Sequence, residues 1–332
     1  MSDPLGGKAG PTLGDVGEFG VIEALRGRLA SSPLADVGPG DDAAVLQVPD
    51  GRVVVTTDTL IDRVHFRTDW ADAYDIGRRA AATSLADVSA MGATATGLLV
   101  ALSAPAATDL EWTMRLAQGL SDEADLVGAA VVGGDLTRAT TVALTVTALG
   151  DLEGRAPVLR AGARPGDIVA VAGRLGWAEA GLAVLSRGFN SPRALVSAYR
   201  RPEPPYDLGP AAAKAGATAM ADVSDGLLSD LGHIAQASGV LAHVQTESFE
   251  VAEPLAAVAA AYGTDPLVWV LTGGQDHALV ATFEKGQPLP LGFIAVGQIE
   301  TQIEAQERES EPVSRVLVDG EVFAAVPGHR HF

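Results

Sequence analysis

Not one of the 332 residues is cysteine, which excludes disulfide staples, thiolate zinc sites, iron–sulfur clusters and a cysteine nucleophile. Lysine is nearly missing as well. Lys8, Lys214 and Lys285 are the only three, and none stands in a Walker A loop or a kinase-like strand, so lysine-dependent ATP folds are disfavoured. Positive charge is short throughout, with 23 Lys and Arg against 42 Asp and Glu and a formal net charge of −19. Such a chain, with no Lys/Arg-dense stretch, repels a phosphate backbone, and no nucleic-acid partner is expected. Long hydrophobic runs are absent too. The most apolar stretch, residues 94–107, is too short and too rich in small residues to span a bilayer, and residues 1–17 hold no apolar signal core. The expectations are no membrane and a cytoplasmic location.

What remains is an ordinary globular composition, 47% hydrophobic and 20% charged, long enough for two domains. An acidic protein that handles phosphates needs positive charge from elsewhere, and divalent metal is the obvious source.

Helical spacing runs through Phe19, Ile22, Leu25 and Leu29. Residues 43–48 and 53–57 read as strands joined by Pro49-Asp50-Gly51, a strong turn signal, and so as a hairpin. Residues 72–91 form an Ala-rich helix with Asp72 at its N-cap and Gly92 beyond its end. Strand 97–102, helix 109–123 and strands 129–132 and 141–149 follow without strict βαβ alternation, which favours an α+β fold class over a Rossmann sheet. Residues 151–166, with glycines, prolines and arginines but no period, mark a domain boundary. The expected division is 1–17 flexible, 18–151 N-terminal domain, 152–332 C-terminal domain. In the second half, helices are expected at 177–186, 208–215 and 226–237. Strands are expected at 168–172, 219–222, 241–246, 268–271, 277–282 and 292–296. Residues 202–205 read as an extended connector, and 300–312 as a solvated surface segment.

Carboxylates punctuate these elements. Gly40-Asp41-Asp42 puts two at the mouth of a strand, where an Asx turn is the plainer reading. Thr56-Thr57-Asp58-Thr59 closes the next strand with oxygen ligands suited to a hard cation. The hairpin reading sets Asp42 and Asp58 at the same end of adjacent strands, where they repel unless a cation or proton separates them. Asp87 lies inside a mostly Ala/Leu/Val helix, where a buried unpaired charge is costly and a solvent-facing one is not. Gly133-Gly134-Asp135 follows an apolar strand. Asp222-Val223-Ser224-Asp225-Gly226 ends a strand and opens a helix whose N-terminus favours anions. His65 beside Val64 and Phe66 reads alone as a half-buried side chain, as do His233 and His243 on their elements, and Arg160 reads equally as a salt-bridge residue.

Taken in order, these blocks, with Val64-His65-Phe66, Ser84-Leu85-Ala86-Asp87, Ala90-Met91-Gly92-Ala93, Arg160-Ala161-Gly162-Ala163 and Gly273-Gly274-Gln275-Asp276, resemble the thiamine-monophosphate kinase family. That family belongs to a superfamily with aminoimidazole ribonucleotide synthetase and selenophosphate synthetase. The resemblance spans nearly the whole chain. It implies an N-terminal α+β domain that binds ATP and metal and dimerises through its sheet, and a C-terminal α/β-sandwich domain. It implies ATP held with several Mg²⁺ ions, whose ligands by motif position are Asp42, Thr56, Thr57, Asp58, Asp87, Asp135, Asp222 and Asp225. Gly134, Asp135, Arg160 and Ser224 would contact ATP; His65, Gln275 and His329 would contact thiamine monophosphate; and Asp58, Asp87, Asp135 and Arg160 would carry the chemistry. The implied partners are ATP, thiamine monophosphate and a second copy of the chain.

The implied reaction is direct transfer of the γ-phosphoryl group to thiamine monophosphate, giving thiamine diphosphate. Rival readings are another ATP-dependent synthetase of the superfamily and a non-catalytic nucleotide- or metal-binding module. The missing cysteine disfavours selenide chemistry, and Val64-His65-Phe66 disfavours a ribonucleotide. Gln275 stands where the family has Glu, His329 replaces an expected aromatic, and Asp62-Arg63 replaces a small residue. All three bear on substrate affinity more than on phosphoryl transfer.

Overall fold

The computed structural model describes residues 10–29, 32–38, 43–301 and 315–323. It is a two-part α+β architecture. One compact unit comprises Met1–Val88 and Ala93–Gly154, the other Ser89–Gly92 and Arg155–Phe332.

In the first unit, α1 (Leu13–Val16) is closed by a capping box between Thr12 and Asp15. Then come α2 (Glu18–Arg26), β1 (Ala35–Val37), β2 (Val45–Leu46), β3 (Val54–Ile61), α3 (Ala73–Ala90), β4 (Thr94–Ala104), α4 (Leu110–Asp125), β5 (Val131–Arg138) and β6 (Ala143–Asp151). Asp109 caps α4 by accepting from the Glu111 N–H. The main sheet has the order β3-β6-β4-β5, antiparallel except for the parallel β4–β5 pair. Its central strand β6 alternates strictly. Leu144, Val146 and Ala148 are fully buried, while Thr145 and Thr147 are only partly covered. α3 lies on the buried face, where Ser84 Oγ donates to the Val146 carbonyl at 3.1 Å.

The expected hairpin does not form. Pro49-Asp50-Gly51 does turn the chain, but β2 pairs with β1, and β3 pairs with β6 in register from Val54↔Gly150 to Ile61↔Ala143. That ladder runs the whole length of β3 and turns Val54, Thr56, Asp58 and Leu60 inward, which a two-residue partner cannot do.

The second unit holds β7 (Ile168–Ala172), α5 (Trp177–Ser186), α6 (Arg193–Arg200), α7 (Leu208–Lys214), β8 (Ala219–Val223), α8 (Leu227–Ser238), β9 (Leu241–Val244), α9 (Glu253–Tyr262), α10 (Pro266–Thr272), β10 (Ala278–Phe283), β11 (Phe293–Glu300) and β12 (Val316–Val318). Its sheet has the order β12-β9-β11-β7-β10-β8, and only β12–β9 is parallel. β8 and β10 are buried along their whole length, so both faces of this sheet are covered there, and their sequences are apolar without alternation. Ala170, Ala172, Met220, Leu279, Phe283 and Phe293 form a core with Ala212 of α7.

The run 268–271 is helix rather than strand. Asp265 accepts from the Leu267 N–H and Pro266 occupies the first turn, start signals that outweigh a short apolar run whose period is ambiguous. α6 and the Ala-rich α9 have no counterpart in the sequence reading. Among the described residues no single helix is long and apolar enough to cross a membrane, and α9 and α10 meet that test only jointly, bent by 115°.

Candidate active site

Two groups of acidic residues emerge, one in each unit. In the first, the two-residue period of β3 turns Thr56 and Asp58 toward α3. There Thr56 Oγ1 donates to Asp87 Oδ2 at 2.7 Å, and Ser84 Oγ donates to Asp58 Oδ2 at 2.9 Å. Ser84 and Asp87 lie three residues apart on α3, so they share a helix face. Each carboxylate is held through one oxygen by a hydroxyl, which orients it without neutralising its charge. Asp58 lies in the middle of its strand, not at the end expected from sequence.

Thr57 and Asp135 lie on the opposite face. Asp58 pairs across to Val146, Val146 to Val100 and Val100 to Gly134, so Gly134 shares the Asp58 side and its successor Asp135 does not. Gly133-Gly134-Asp135 is inside β5 rather than after a strand. At Gly134 a Cβ would stand 1.9 Å from the Val100 carbonyl oxygen, so only glycine fits. On the far face Thr57 meets Thr147 at 3.0 Å and Thr59 meets Thr145 at 2.8 Å, and Thr137 Oγ1 donates to Asp135 Oδ2 at 2.8 Å. This face borders a cavity of about 910 Å³ lined by Ile22, Leu25, Leu99, Thr147 and Asp135 among others. Three strand spacings separate β3 from β5, ~14 Å at ~4.8 Å each.

His65 is half-buried beyond the end of β3, and its Nδ1 accepts the Ile61 N–H at 3.0 Å. Accepting there places the neutral ring's proton on Nε2. Asp42 and His329 lie outside the described residues.

In the second unit, Asp222 ends β8 and Asp225 precedes α8. Gly226, next after Asp225, has φ 111°, and a Cβ there would stand 2.4 Å from the Thr272 carbonyl oxygen. The Gln275 N–H donates to the Ser224 carbonyl at 2.8 Å, which ties residues 273–277 to this turn. Gln275 and His277 both have positive φ, 69° and 53°, a conformation that non-glycine side chains keep only when surroundings enforce it. The enforcing contact is Asp276, whose Oδ1 accepts the Ala178 N–H at 2.8 Å at the start of α5. His277 Nδ1 lies 3.1 Å from Asp222 Oδ2, and the Asp225 N–H donates to Asp230 Oδ2 at 2.9 Å.

The electrostatics of this cluster point to missing positive charge. Burial first, and then the charges of Asp222 and Asp225, push the Asp230 carboxyl up to about 7, against the pull of the Asp225 N–H and of Arg160. Arg160 is exposed, and its carbonyl accepts from Ser238 Oγ at 3.2 Å, at the C-terminal end of α8. Burial also raises Asp276 to about 7, opposed by the N–H groups of Ala178, Gly176 and Trp177 and by His277. Among the described residues no three acidic or histidine side chains form a ready metal site. The donors present are carboxylate and hydroxyl oxygens, and a buried carboxylate cluster short of positive charge suits a hard divalent cation such as Mg²⁺.

Sequence therefore identified Thr56, Asp58 and Asp87, which share the space between β3 and α3, and Asp222, Ser224, Asp225 and Gln275, which gather at the start of α8; the Arg160 backbone lies at the other end of that helix. Ser84 and Asp276 stand within the motif blocks with no role given to either, and Asp230 and His277 were missed. Asp230 was findable, because a carboxylate one turn into a helix after an Asp-Gly start faces back toward that start.

The family profile "AIR synthase related protein, N-terminal domain" matches residues 40–152, and its C-terminal counterpart matches residues 164–285. A thiamine-monophosphate kinase of Mycobacterium tuberculosis H37Rv is 46% identical over 324 residues, 97% of this chain and 93% of that one. The chain belongs to the thiamine-monophosphate kinase family. Among solved structures of this family, the enzyme from Stenotrophomonas maltophilia K279a superposes with a TM-score of 0.79 at 34% identity, covering 92% of this chain and 98% of that one. The structure of AaThiL complexed with AMPPCP and TMP gives a TM-score of 0.77 at 29% identity, covering 98% and 100%.

Proposed function

We propose that this enzyme transfers the γ-phosphoryl group of ATP directly and in line to the phosphate of thiamine monophosphate, giving thiamine diphosphate and ADP, and that it does so as a cytoplasmic homodimer. The observation that carries the reading is the meeting of Asp222, Ser224, Asp225 and Gln275 at the start of α8. There a helix N-terminus favours phosphate while carboxylates favour its metal counterions. The likeness to AaThiL, whose structure holds AMPPCP and TMP, supports both the nucleotide and the acceptor.

In this reading Asp58, Asp87, Asp222 and Asp225, with Thr56, Thr57, Asp42 and Asp135, would hold Mg²⁺. Bound Mg²⁺ neutralises the repulsion between the two phosphates and aligns them. The hydroxyls of Ser84 and Thr56 keep the Asp58 and Asp87 carboxylates oriented. Arg160, Ser224 and Gly134 bind the nucleotide, and Arg160 stabilises charge on the transferring group. His65, through its Nε2–H, donates to the acceptor, and Gln275 and His329 contact its thiamine portion. No residue acts as general base, because a phosphate monoester oxygen is already largely deprotonated near neutral pH, with a second pKa of about 6.

The homodimer is supported by the open sheet face. Val55 and Leu99 are 56% and 38% exposed there, and Asp135 stands ~14 Å and one face away from Asp58. In the proposed dimer a second copy packs on this face, the one that carries Thr57 and Asp135 rather than Asp58.

Incubation with ATP and Mg²⁺ plus either thiamine monophosphate or free thiamine tests the reading. Only the phosphorylated acceptor is expected to react, because thiamine offers no oxygen held in line with the γ-phosphorus. Turnover of free thiamine would refute the acceptor assignment, and nucleotide binding with no turnover would mark a non-catalytic module.

A further inference from the structure

We propose that His277 is a positioning residue for this site: its imidazole holds one oxygen of the Asp222 carboxylate and leaves the other for a divalent cation. The inference rests on the reading of Asp222 as a metal ligand and extends it to a residue outside the sequence-identified set.

The two side chains are almost wholly sealed from solvent, with 1% and 5% exposure, and His277 Nδ1 lies 3.1 Å from Asp222 Oδ2. An ionised carboxylate can only accept, so the proton between them belongs to Nδ1. The contact is built from the backbone outward. β8 and β10 pair with Ala278 opposite Val223, and the His277 N–H donates to the Val223 carbonyl at 3.1 Å. His277 keeps its φ of 53° because Asp276 is moored to the start of α5 through Ala178. Strain of that kind is retained where surroundings over-determine it, commonly at a working site. A carboxylate that binds metal needs its second oxygen hydrogen-bonded if its orientation is to be fixed, and losing such an outer partner commonly weakens metal binding by about 10- to 100-fold. Among the described residues no hydroxyl bonds Asp222 in the way that Ser84 and Thr56 bond Asp58 and Asp87; His277 fills that role in the second unit.

Full-length enzyme bearing His277→Leu and His277→Asn is titrated calorimetrically with Mg²⁺ in the presence of AMPPCP, alongside thermal melts. His277→Leu is expected to bind Mg²⁺ at least about 10-fold more weakly. His277→Asn, which keeps a donor and tolerates positive φ, is expected to stay within about threefold of wild type. A second measurement needs no variant. In ¹⁵N-histidine-labelled wild type, the His277 ring signals are expected to shift along the same Mg²⁺ saturation curve as the calorimetry. A folded His277→Leu with wild-type Mg²⁺ affinity, or His277 signals that ignore Mg²⁺, would overturn the proposal. Neither readout involves the acceptor or turnover, so a failure to phosphorylate thiamine monophosphate would sink the function and leave this inference standing, and the reverse holds equally.

Discussion

Asp58 and Asp135 stand on opposite faces of one sheet, on strands at its two edges. Within a single copy no side-chain rotation joins them, since a strand fixes the face on which each residue projects. No single Mg²⁺ could therefore be held by both within one copy.

The first prediction follows from that separation. Asp58→Asn and Asp135→Asn enzymes are each expected to lose at least about a hundredfold in turnover, given the several kcal/mol that metal contributes to charge stabilisation, while melting as the wild type does. Co-refolded in equal amounts, they regain about a quarter of wild-type activity if one site takes its two carboxylates from different copies, because half the dimers are mixed and each mixed dimer then has one intact site. Steady-state assays before and after mixing decide it, and a mixture as inactive as its components would place both carboxylates in one copy.

Gln275 supplies the second. Its backbone is locked to Ser224 in the positive-φ region, so replacing the amide by a carboxylate changes charge more than position. In the proposed role of residue 275 as a contact to the cationic thiazolium, Gln275→Glu is expected to lower the KM for thiamine monophosphate about five- to thirtyfold, equivalent to about 1–2 kcal/mol for a partly exposed pair, with little change in kcat. Acceptor kinetics on the two proteins check this, and an unchanged KM would show that the thiamine moiety binds elsewhere.

The third concerns pH. The Asp276 carboxyl titrates near 7 in the folded protein because burial disfavours its charge, against about 3.9 in an unfolded chain. A carboxyl raised on folding gives stability that is complete below about pH 4 and is lost as pH rises toward 7. Asp276→Asn cannot ionise and keeps an oxygen for the Ala178 N–H. Its melting temperature relative to wild type is expected to climb between pH 4 and 8, by an amount reflecting on the order of a few kcal/mol. Melting curves that stay parallel across this range would show that Asp276 is ionised in the folded state.

Much of the fold was legible where period and caps agree. α3 emerged with Asp87 inside it because an Ala-rich run with Asp72 before it and Gly92 after it leaves one reading. β7 and α5 were equally plain. The hairpin failed because Pro49-Asp50-Gly51 announces a turn but not which strands flank it as partners, and the choice of β6 for β3 is a contact 90 residues away in the chain. Run 268–271 failed because four apolar residues fit either period.

The site was legible as a set of residues but not as a geometry. Thr57 and Asp58 were grouped as ligands though adjacent strand residues must face opposite ways, a consequence the sequence already contained. The roles of Ser84, which stands only as part of a motif block, and of His277, read only as the first residue of a strand, become visible only through Asp58 and Asp222. A sequence motif marks the acid and gives no sign of the group that holds it.

The measurement that bears most directly on the whole account is a ³¹P NMR time course of the purified enzyme with ATP, Mg²⁺ and thiamine monophosphate. The account predicts that the thiamine monophosphate signal is replaced by the two doublets of a diphosphate ester, with ADP appearing in equal amount and no inorganic phosphate released. ATP consumed to ADP and free phosphate, or to AMP, with thiamine monophosphate untouched, would contradict it.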